Sequence, residues 1–503
     1  MTSQRPLQSS GIAEDPMESL LRGPFAPRHD ESDFIDLPLT HGAIPEDLNG
    51  VYLRNGPNPR FAPLGRYHPF DGDGMVHAAH FRSGRMRLRN RWVRTDAWHH
   101  EQASGACCYR GIRETRQACA EQALKDSGNT DLIGHRGKVL ALWYLAGEAW
   151  ELDPITLHTL GRHQAIAASG GKISAHAKVD EQSETLLYFD YGVDAPFMHY
   201  GVVSADGTLA HHVPIALPGA RLPHDMAITE NYTVFHDLPL VHDPQAFALG
   251  RHKLLFRADL PTRFGVIPRY GPANTLRWFE FSPCFVYHVV NAWEEHDPRG
   301  HWITMLACRY LPAERADGSI DEVATARELA SLRMRARLWC WRMNLTTGEA
   351  EEFCLDPQHN LEFPAVNHTR VGRLTRYAYF ADQCEREVLQ FPGLRKCDLR
   401  NGATLSAWRE HPSASWYSEP CFAQADGGQA EDDGYLIAFQ WNAARQRQTL
   451  DIFDARDLSQ GPMAQVALPR HVPLGFHGCW MSATRLGPAW DAAASTPRGQ
   501  FST

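Results

Sequence analysis

Short runs of β-branched, aromatic and aliphatic residues recur along most of the 503-residue chain and are separated by turn-forming residues. Val, Ile, Tyr, Phe and Trp suit a pleated, half-buried strand, and the Gly-Asp-Gly, Ser-Gly and Pro-Gly clusters between the runs mark turns. Many short strands in one chain predict an all-β fold that closes on itself, because closure removes exposed strand edges. The clearest runs span 51–54, 75–81, 86–95, 139–145, 186–192, 232–237, 302–310 and 434–441.

Two stretches interrupt this β pattern and predict helices. Residues 118–126 read Ala-Cys-Ala-Glu-Gln-Ala-Leu-Lys-Asp, and residues 321–337 carry apolar residues among charges. Both helices are predicted to lie in a cap over one face of the fold, either as ordinary packing helices or as a gate. No repeat of about 40 residues, the length of a propeller blade, is visible, so periodicity alone does not establish a propeller.

The composition excludes several classes of protein. Apolar residues make up 43% of the chain, which is enough for a sizeable core. The net charge of −9 and the lack of a basic run argue against nucleic acid as a partner. No apolar run reaches the length of about 18 residues that predicts a membrane-spanning helix. Eleven scattered cysteines without a CxxC pair favour reduced thiols and a cytoplasmic protein.

The domain organisation follows from the same reading. Residues 1–22 are rich in Ser, Gln and Pro and predict a disordered or loosely draped arm without the apolar segment of a signal peptide. No shift in composition divides the remainder, so residues 23–503 are interpreted as a single domain. The oligomeric state is left open.

Four histidines lie in apolar or Gly/Pro-punctuated segments: His176, His224, His288 and His477. A histidine in such a setting must satisfy two ring nitrogens away from water. One nitrogen can bind a metal while the other is fixed by a neighbour, although a single histidine of this kind is more often a hydrogen-bonded core residue. The four are too far apart for a local zinc motif, and only a closed fold with a central axis would bring them together.

The four histidine segments resemble the iron-binding motifs of the carotenoid cleavage oxygenase family. This family includes carotenoid and apocarotenoid oxygenases, lignostilbene dioxygenases and the retinal-pigment-epithelium isomerase. Two N-terminal motifs resemble the family as well, namely Gly-Ala-Ile-Pro-Glu-Asp-Leu-Asn-Gly-Val-Tyr-Leu-Arg-Asn-Gly-Pro-Asn-Pro at 42–59 and His-Pro-Phe-Asp-Gly-Asp-Gly-Met-Val-His at 68–77. The resemblance implies a seven-bladed β-propeller with a helical and loop-built cap over one face. It also implies an axial Fe(2+) bound by the four histidines.

Further site residues follow from the resemblance. Glu362 and Glu419 match glutamates that hydrogen-bond the iron-binding histidines, and Thr130 matches a threonine whose methyl group lies over the open iron position. From the sequence alone, the two glutamates could equally lie on the surface and the threonine in a turn. Aromatic residues of the motif loops are predicted to line a substrate tunnel: Phe61, Tyr67, Trp143, Phe285, Trp293, Phe363, Phe422, Phe476 and Trp480.

One position departs from the family pattern. The family usually has a third glutamate in the segment that reads Ala-Leu-Trp-Tyr-Leu-Ala-Gly-Glu here, and the matching position is Tyr144 or Leu145. Neither residue is a carboxylate, so one histidine is expected to lack its partner, and His224 is the candidate. Strand alternation puts Tyr144 and Leu145 on opposite faces, and Leu145 is predicted to face the axis.

The reaction implied by the resemblance is cleavage of a conjugated C=C bond by O₂ to give two carbonyl products. The substrate would be a carotenoid or apocarotenoid, or a stilbenoid or phenylpropanoid. Two alternatives are kept: a non-oxidative isomerase with the same iron site, and a propeller scaffold that binds no metal. Charged residues crowd positions 114–126, so at most a weak peripheral contact with a membrane is expected.

Overall fold

The computed structural model describes residues 18–115, 124–333, 335–384, 389–410 and 415–494. These residues form the predicted seven-bladed β-propeller, in which each blade is an antiparallel sheet and a further two-stranded sheet lies beside them. Strand β3 is buried along its whole length at Gly50–Arg54, because blades pack on both of its faces. Such burial explains why a simple alternation of apolar and polar residues is weak in this sequence.

The described strands and helices have the following bounds. In chain order the strands are β1 (Ser32–Ile35), β2 (Leu39–Gly42), β3 (Gly50–Arg54), β4 (Met75–Arg82), β5 (Arg85–Trp92), β6 (Asp131–His135), β7 (Lys138–Leu142), β8 (Trp150–Leu152), β9 (Thr159–Arg162), β10 (Lys178–Asp180), β11 (Thr185–Tyr191), β12 (Phe197–Val203), β13 (Leu209–Ala216), β14 (Ala227–Ile228), β15 (Tyr232–Asp237), β16 (Leu240–His242), β17 (Leu254–Phe256), β18 (Thr262–Pro268), β19 (Arg277–Phe281), β20 (Phe285–Asp297), β21 (Gly300–Tyr310), β22 (Ala336–Asn344), β23 (Ala350–Asp356), β24 (Leu361–Ala365), β25 (Tyr377–Asp382), β26 (Gly393–Asp398), β27 (Ala403–Trp408), β28 (Ser415–Tyr417), β29 (Cys421–Gln424), β30 (Gly434–Asn442), β31 (Arg447–Asp454), β32 (Ala464–Ala467) and β33 (Gly478–Ser482). The α-helices are α1 (Asp96–Ser104), α2 (Gln164–Ala168), α3 (Pro244–Ala248), α4 (Glu322–Ala330), α5 (Ala483–Leu486) and α6 (Pro488–Ala494). Short 3-10 turns span Glu18–Leu21, Gly23–Phe25, Pro69–Asp71, Ala273–Thr275, His368–Arg370 and Leu458–Gln460.

The blades follow one another in chain order around the axis. Blade 1 has the strand order β1-β5-β4-β3-β33, and blades 2 and 3 are β6-β7-β8-β9 and β10-β11-β12-β13. Blade 4 is β14-β15-β18-β19, blade 5 is β20-β21-β22-β23 and blade 6 is β24-β25-β26-β27. Blade 7 has the order β2-β32-β31-β30-β28, with β29 also paired to β30.

Two N-terminal strands close the ring by pairing with the C-terminal part of the chain. In blade 1, β3 pairs with β33, so that Tyr52 lies opposite Trp480. In blade 7, β2 pairs with β32, so that Leu39 lies opposite Val466. The ends of the chain therefore complete two adjacent blades, and the ring can form only when both are in place.

The innermost strand of every blade lines one cavity on the propeller axis. Residues of β6, β10, β14, β20, β24, β29 and β33 all contribute to its wall. Side chains at the inner ends of these strands therefore converge, although their sequence positions extend from 131 to 480.

The predicted cap helices are only partly as expected. Helix α4 occupies Glu322–Ala330 and packs against β17, but it is shorter than the predicted 321–337 because β22 begins at Ala336. Residues 118–123 of the helix predicted at 118–126 lie outside the described residues, and residues 124–126 are not helical.

Other expectations concern the N-terminal arm, the cysteines and the membrane. Residues 1–17 of the predicted arm lie outside the described residues, whereas Leu20 is buried in the core. None of the ten cysteines in the described ranges forms a disulfide. Across the same ranges, no helix is long and apolar enough to cross a membrane.

A buried ion pair holds the segment that leads into β6. The Lys125 ammonium group lies 2.6 Å from a carboxylate oxygen of Asp73 and 2.6 Å from one of Glu101. Burial alone would lower the pKa of Lys125, but these two carboxylates raise it above its ordinary value. The segment from Lys125 to Asp131 is therefore tied to α1 and to the loop after β3.

We predict that Lys125→Met lowers the free energy of unfolding by about 3–5 kcal/mol, because it leaves two buried carboxylates without their cation. Chemical denaturation measures the change. The control is Lys138→Met, whose partner Glu151 lies in a more exposed pair; that change should cost less than about 1 kcal/mol. Equal losses for the two variants would contradict the structural role of Lys125.

Candidate metal centre

Every blade contributes a histidine or carboxylate side chain to the axis. His288 and Glu362 lie within β20 and β24, and Asp131 is the first residue of β6. The other four lie just outside an inner strand: His176 before β10, His224 before β14, Glu419 between β28 and β29, and His477 before β33. In order around the axis, the seven residues are Asp131, His176, His224, His288, Glu362, Glu419 and His477.

The four histidine rings form one buried cluster. The ring of His176 lies 4.8 Å from that of His224, 5.1 Å from that of His288 and 4.6 Å from that of His477, measured between centroids. The His288 and His477 rings are 4.7 Å apart. One ring nitrogen of each of His176, His224 and His288 lies within 4.8 Å of the others. The fold therefore assembles the four histidines that the sequence singled out.

Two of these histidines have a left-handed backbone. The φ angles are 63° at His176 and 59° at His224. Side chains other than glycine rarely adopt this region, and residues held in it cluster at functional sites. The left-handed turn before β10 and before β14 directs these two imidazoles towards the axis.

Carboxylates hold three of the four rings through the Nδ1 atom. His288 Nδ1 lies 2.5 Å from Glu362 Oε2, and His477 Nδ1 lies 2.9 Å from Glu419 Oε1. His176 Nδ1 lies 3.1 Å from Asp131 Oδ2. These contacts fix the orientation of each ring and leave its Nε2 atom directed away from the carboxylate.

Each of these carboxylates also accepts a hydrogen bond from a nearby backbone N–H. Glu362 Oε2 accepts from Phe363 at 2.9 Å, and Glu419 Oε2 accepts from Gly478 at 2.8 Å. Asp131 Oδ2 accepts from the backbone N–H of His176 itself at 3.2 Å. The carboxylates therefore position the backbone as well as the rings.

The electrostatics of the cluster reflect its burial. Burial lowers the pKa of His224 and of His288 well below the ordinary histidine value, and neighbouring histidines lower it further. Burial would lower the pKa of His477 too, but Glu419 raises it. Burial raises the pKa of Glu362 to about 8, whereas the His176 contact keeps the pKa of Asp131 below its ordinary value.

In the described part of the chain, His224 is the one histidine of the four without a carboxylate partner, and the sequence predicted that one histidine would lack it. Its Nδ1 atom is buried and has no hydrogen-bond partner among the described residues. The order of the ring explains this, because the inner strands on either side of His224 carry histidines, His176 and His288, rather than a carboxylate. His224 is therefore the one ring in the described cluster that no carboxylate holds.

The prediction that Leu145 faces the axis is wrong. Strand β7 ends at Leu142, and the following residues form a turn in which Ala146 has a φ of 63°. Strand alternation therefore does not apply there. The buried Tyr144 ring lies 6.4 Å from the His224 ring, and Leu145 is half-buried and lines neither cavity beside His224.

The chemistry of this cluster fits a divalent transition metal. The Nε2 atoms of His176 and His288 are buried and have no partner among the described residues, and a buried nitrogen without a partner costs stability unless something binds it. Imidazole suits Fe, Zn, Cu and Ni, so the donor set does not select one metal.

The cluster lies between one polar cavity and two apolar cavities. One cavity, of about 180 Å³, is polar, and Asp131 and Glu419 are in its wall. On the other side is a cavity of about 20 Å³ bordered by His224, His288 and His477, and a cavity of about 130 Å³ adjoins it. None of the three carboxylates lines either of these two cavities. An apolar ligand could therefore approach the histidines from this side without meeting any of the three carboxylates.

Thr130 and two of the predicted tunnel aromatics line the small cavity. Thr130 is buried, and its Oγ1 atom accepts a hydrogen bond from the Tyr144 N–H at 3.2 Å. Phe363 and Phe476 are also in the wall. The remaining seven predicted aromatics line neither cavity on this side: Phe61, Tyr67, Trp143, Phe285, Trp293, Phe422 and Trp480.

Sequence reasoning missed three residues of the site. Phe70 and Tyr287 line both cavities on the apolar side, and Asp131 holds His176. The available signals were modest: Phe70 lies in the motif at 68–77, Tyr287 precedes His288, and Asp131 follows Thr130 at the start of a strand.

We predict that Asp131→Asn, Glu362→Gln and Glu419→Gln each lower the affinity for a divalent metal by about 10- to 100-fold, the usual effect of removing the partner of a metal-binding histidine. Titration of the metal-free protein with Co²⁺, followed by visible absorbance, measures the affinity.

The matched control is Asp190→Asn. Asp190 Oδ1 lies 3.0 Å from His199 Nδ1 in blade 3, so this change alters the same kind of pair away from the axis. Its Co²⁺ affinity should equal that of the wild type. An unchanged affinity in Asp131→Asn would show that the contact with His176 has no part in metal binding.

Comparison with known proteins agrees with this geometry. The family model described as retinal pigment epithelial membrane protein matches residues 25–482. A carotenoid 9,10(9',10')-cleavage dioxygenase of Crocus sativus is 33% identical over 93% of this chain and 89% of its own length. An isoeugenol monooxygenase of Pseudomonas nitroreducens is 29% identical over 92% of this chain and 97% of its own length.

A solved structure shares the whole architecture. The lignostilbene dioxygenase of Pseudomonas brassicacearum superimposes with a TM-score of 0.81 at 29% identity, over 94% of this chain and 100% of that one. With the family model spanning nearly all described residues, and with these relatives matched over 89–100% of their length, the chain belongs to the carotenoid cleavage oxygenase family.

Proposed function

We propose that this enzyme cleaves a conjugated C=C bond with O₂ and uses one Fe(2+) held by His176, His224, His288 and His477. The observation that carries the proposal is the buried cluster of four imidazoles, three of which line an apolar cavity. The Nε2 atoms of His176 and His288 in this cluster are buried and have no described partner. The names of the relatives, which include carotenoid-cleaving, lignostilbene-cleaving and isoeugenol-oxidising enzymes, support the same reaction class.

The reaction balances without a further reductant. One alkene and one O₂ give two carbonyl products, and each product receives one oxygen atom. Fe(2+), when bound, supplies the chemistry that activates O₂ towards the double bond. The protein is left with the tasks of binding, orientation and exclusion of water.

The chain's own residues can perform these tasks. Phe70, Tyr287, Leu332, Phe363 and Phe476 form apolar walls around the histidines, which favours a flat, conjugated ligand and excludes water. Aromatic walls on several sides restrict how such a ligand can lie, and a restricted orientation lowers the entropic cost of reaction. A carotenoid or apocarotenoid and a stilbenoid or phenylpropanoid both have this chemistry.

The three carboxylates compensate the charge of the metal from outside the ligand shell. Asp131, Glu362 and Glu419 each hold a different histidine by its Nδ1 atom. A carboxylate in this position makes the imidazole a stronger donor. It does so without occupying a coordination position, so the side that faces the apolar cavity stays available for O₂ and substrate.

We predict that protein purified anaerobically and loaded with Fe(2+) consumes one O₂ for each alkene cleaved. The candidate substrates are apocarotenals, hydroxylated stilbenes and isoeugenol-type phenylpropenes, and the readouts are aldehyde formation and O₂ uptake. Changing His288→Ala should remove the bound iron and lower the rate by more than about 100-fold. Losing only the hydrogen-bond partner of a metal ligand costs up to about 100-fold, and losing the ligand itself should cost more.

The control for His288→Ala is His301→Ala. His301 is also paired with a glutamate, since its Nε2 atom lies 3.2 Å from Glu294 Oε2 on the same blade. His301 lies next to the turn between β20 and β21, at the other end of β20 from His288. Its iron content and rate should match the wild type. Isomerised product without O₂ uptake would replace the proposal with an isomerase, and absence of iron binding would leave a scaffold.

A further inference from the structure

The apolar cavity beside the histidines contains one polar pair. The cavity of about 130 Å³ shares Phe70, His224, Tyr287 and Leu332 with the small cavity at the histidines, so the two cavities adjoin. Tyr144 and His252 face each other in its wall, and the Tyr144 hydroxyl oxygen lies 3.2 Å from His252 Nε2.

The Tyr144 side chain is held firmly in this position. Its ring stacks on Phe70 with 3.8 Å between centroids. Its backbone N–H donates to Thr130 Oγ1 at 3.2 Å, and its backbone carbonyl accepts a hydrogen bond from the Tyr191 hydroxyl. The hydroxyl group of Tyr144 is therefore preorganised towards the cavity, and a ligand would not have to order it.

Two other polar groups in the same wall already have protein partners. The Tyr287 hydroxyl donates to the Leu329 carbonyl at 2.7 Å, and Arg113 Nη1 donates to the Tyr67 carbonyl at 3.3 Å. A phenolic hydroxyl can donate one hydrogen bond and accept two. The contact with His252 uses only one of these, so Tyr144 retains capacity for a hydrogen bond to a ligand.

We infer that Tyr144 and His252 form a subsite for a hydroxyl group of the substrate. The inference rests on the proposed function and narrows it, because it selects hydroxylated conjugated alkenes from the wider class. If His252 Nε2 accepts from Tyr144, the tyrosine oxygen remains as an acceptor; if Nε2–H donates, the tyrosine O–H remains as a donor. A hydroxyl group fits both tautomers, because it donates and accepts, whereas a methyl group can do neither.

A ligand without a hydroxyl group would bury the pair without giving it a partner. Displacing water from a polar group without replacing its hydrogen bond weakens binding. The hydroxyl group could belong to a phenol, as in a hydroxylated stilbene, or to the terminal ring of an apocarotenoid. Both sources present the same chemistry to Tyr144, and matched ligand pairs distinguish them.

The test measures binding rather than turnover. Zn²⁺-loaded protein under nitrogen is titrated with para-hydroxystilbene and with para-methylstilbene, and in a second arm with an apocarotenal with and without its ring hydroxyl. In at least one pair, the hydroxylated ligand should bind about tenfold more tightly to the wild type, the order expected for one buried hydrogen bond. The pair that shows this preference identifies the source of the hydroxyl group.

Tyr144→Phe should abolish that preference and leave the affinity for the other ligand of the pair within about twofold. The matched control is Tyr287→Phe, which removes a hydroxyl group from the same cavity that already donates to Leu329; the preference should persist. The thermal unfolding midpoint of each variant checks that it is folded.

The subsite would be overturned if the preference for the hydroxylated ligand survived Tyr144→Phe. It would also be overturned if the wild type did not distinguish the ligands of either pair. Because no O₂ is present, these outcomes are independent of catalysis. Failure of the iron-loaded enzyme to cleave any alkene would overturn the proposed function and leave the binding result standing.

Discussion

A buried imidazole can present one nitrogen in a fixed direction only when its other nitrogen is held, and this requirement governs the axis of the propeller. Asp131, Glu362 and Glu419 meet it for three of the four rings. Each of these carboxylates lies on the blade next to that of the histidine it contacts, so the spacing of the blades sets the hydrogen bonds. Seven blades thereby carry four imidazoles and three carboxylates.

Closure of the ring is a condition for this arrangement. His477 precedes the strand that pairs with β3, and its ring lies beside that of His176 while its Nδ1 atom contacts Glu419. Without the pairing of β3 with β33, the first and last parts of the chain would not meet at the axis. Metal binding at this centre would therefore depend on the complete fold, as is usual when the ligands come from distant segments.

The two sides of the histidine cluster are electrostatically different. Asp131 and Glu419 face the polar axial cavity, and none of the three carboxylates lines the apolar cavity. On the apolar side, His224 has no carboxylate and Tyr144 lies beside it. Loss of a carboxylate here removes a charge that an apolar ligand would otherwise have to desolvate. The neutral Tyr144 side chain lines this side instead.

Much of the architecture was predictable from local sequence. The strand at 232–237 has the predicted bounds, and those at 51–54, 75–81 and 434–441 agree within one residue, because β-branched and aromatic runs between turn residues suit strands in any closed sheet. The four histidines and the two glutamates were found because they lie in motifs that resemble a known family. Closure by β2 and β3 was not predictable from local patterns, because it pairs residues more than 400 positions apart.

The sequence by itself determined the all-β class and singled out the four axial histidines. The seven-bladed propeller was implied by the family resemblance. Only the tertiary structure decided which carboxylate holds which ring, because that depends on which blades are neighbours. Asp131 was missed for this reason, since it is 45 residues from His176 in the chain but on the adjacent inner strand. The orientation of Tyr144 was likewise decided by the turn that follows β7, where the alternation of a strand no longer determines the direction of a side chain.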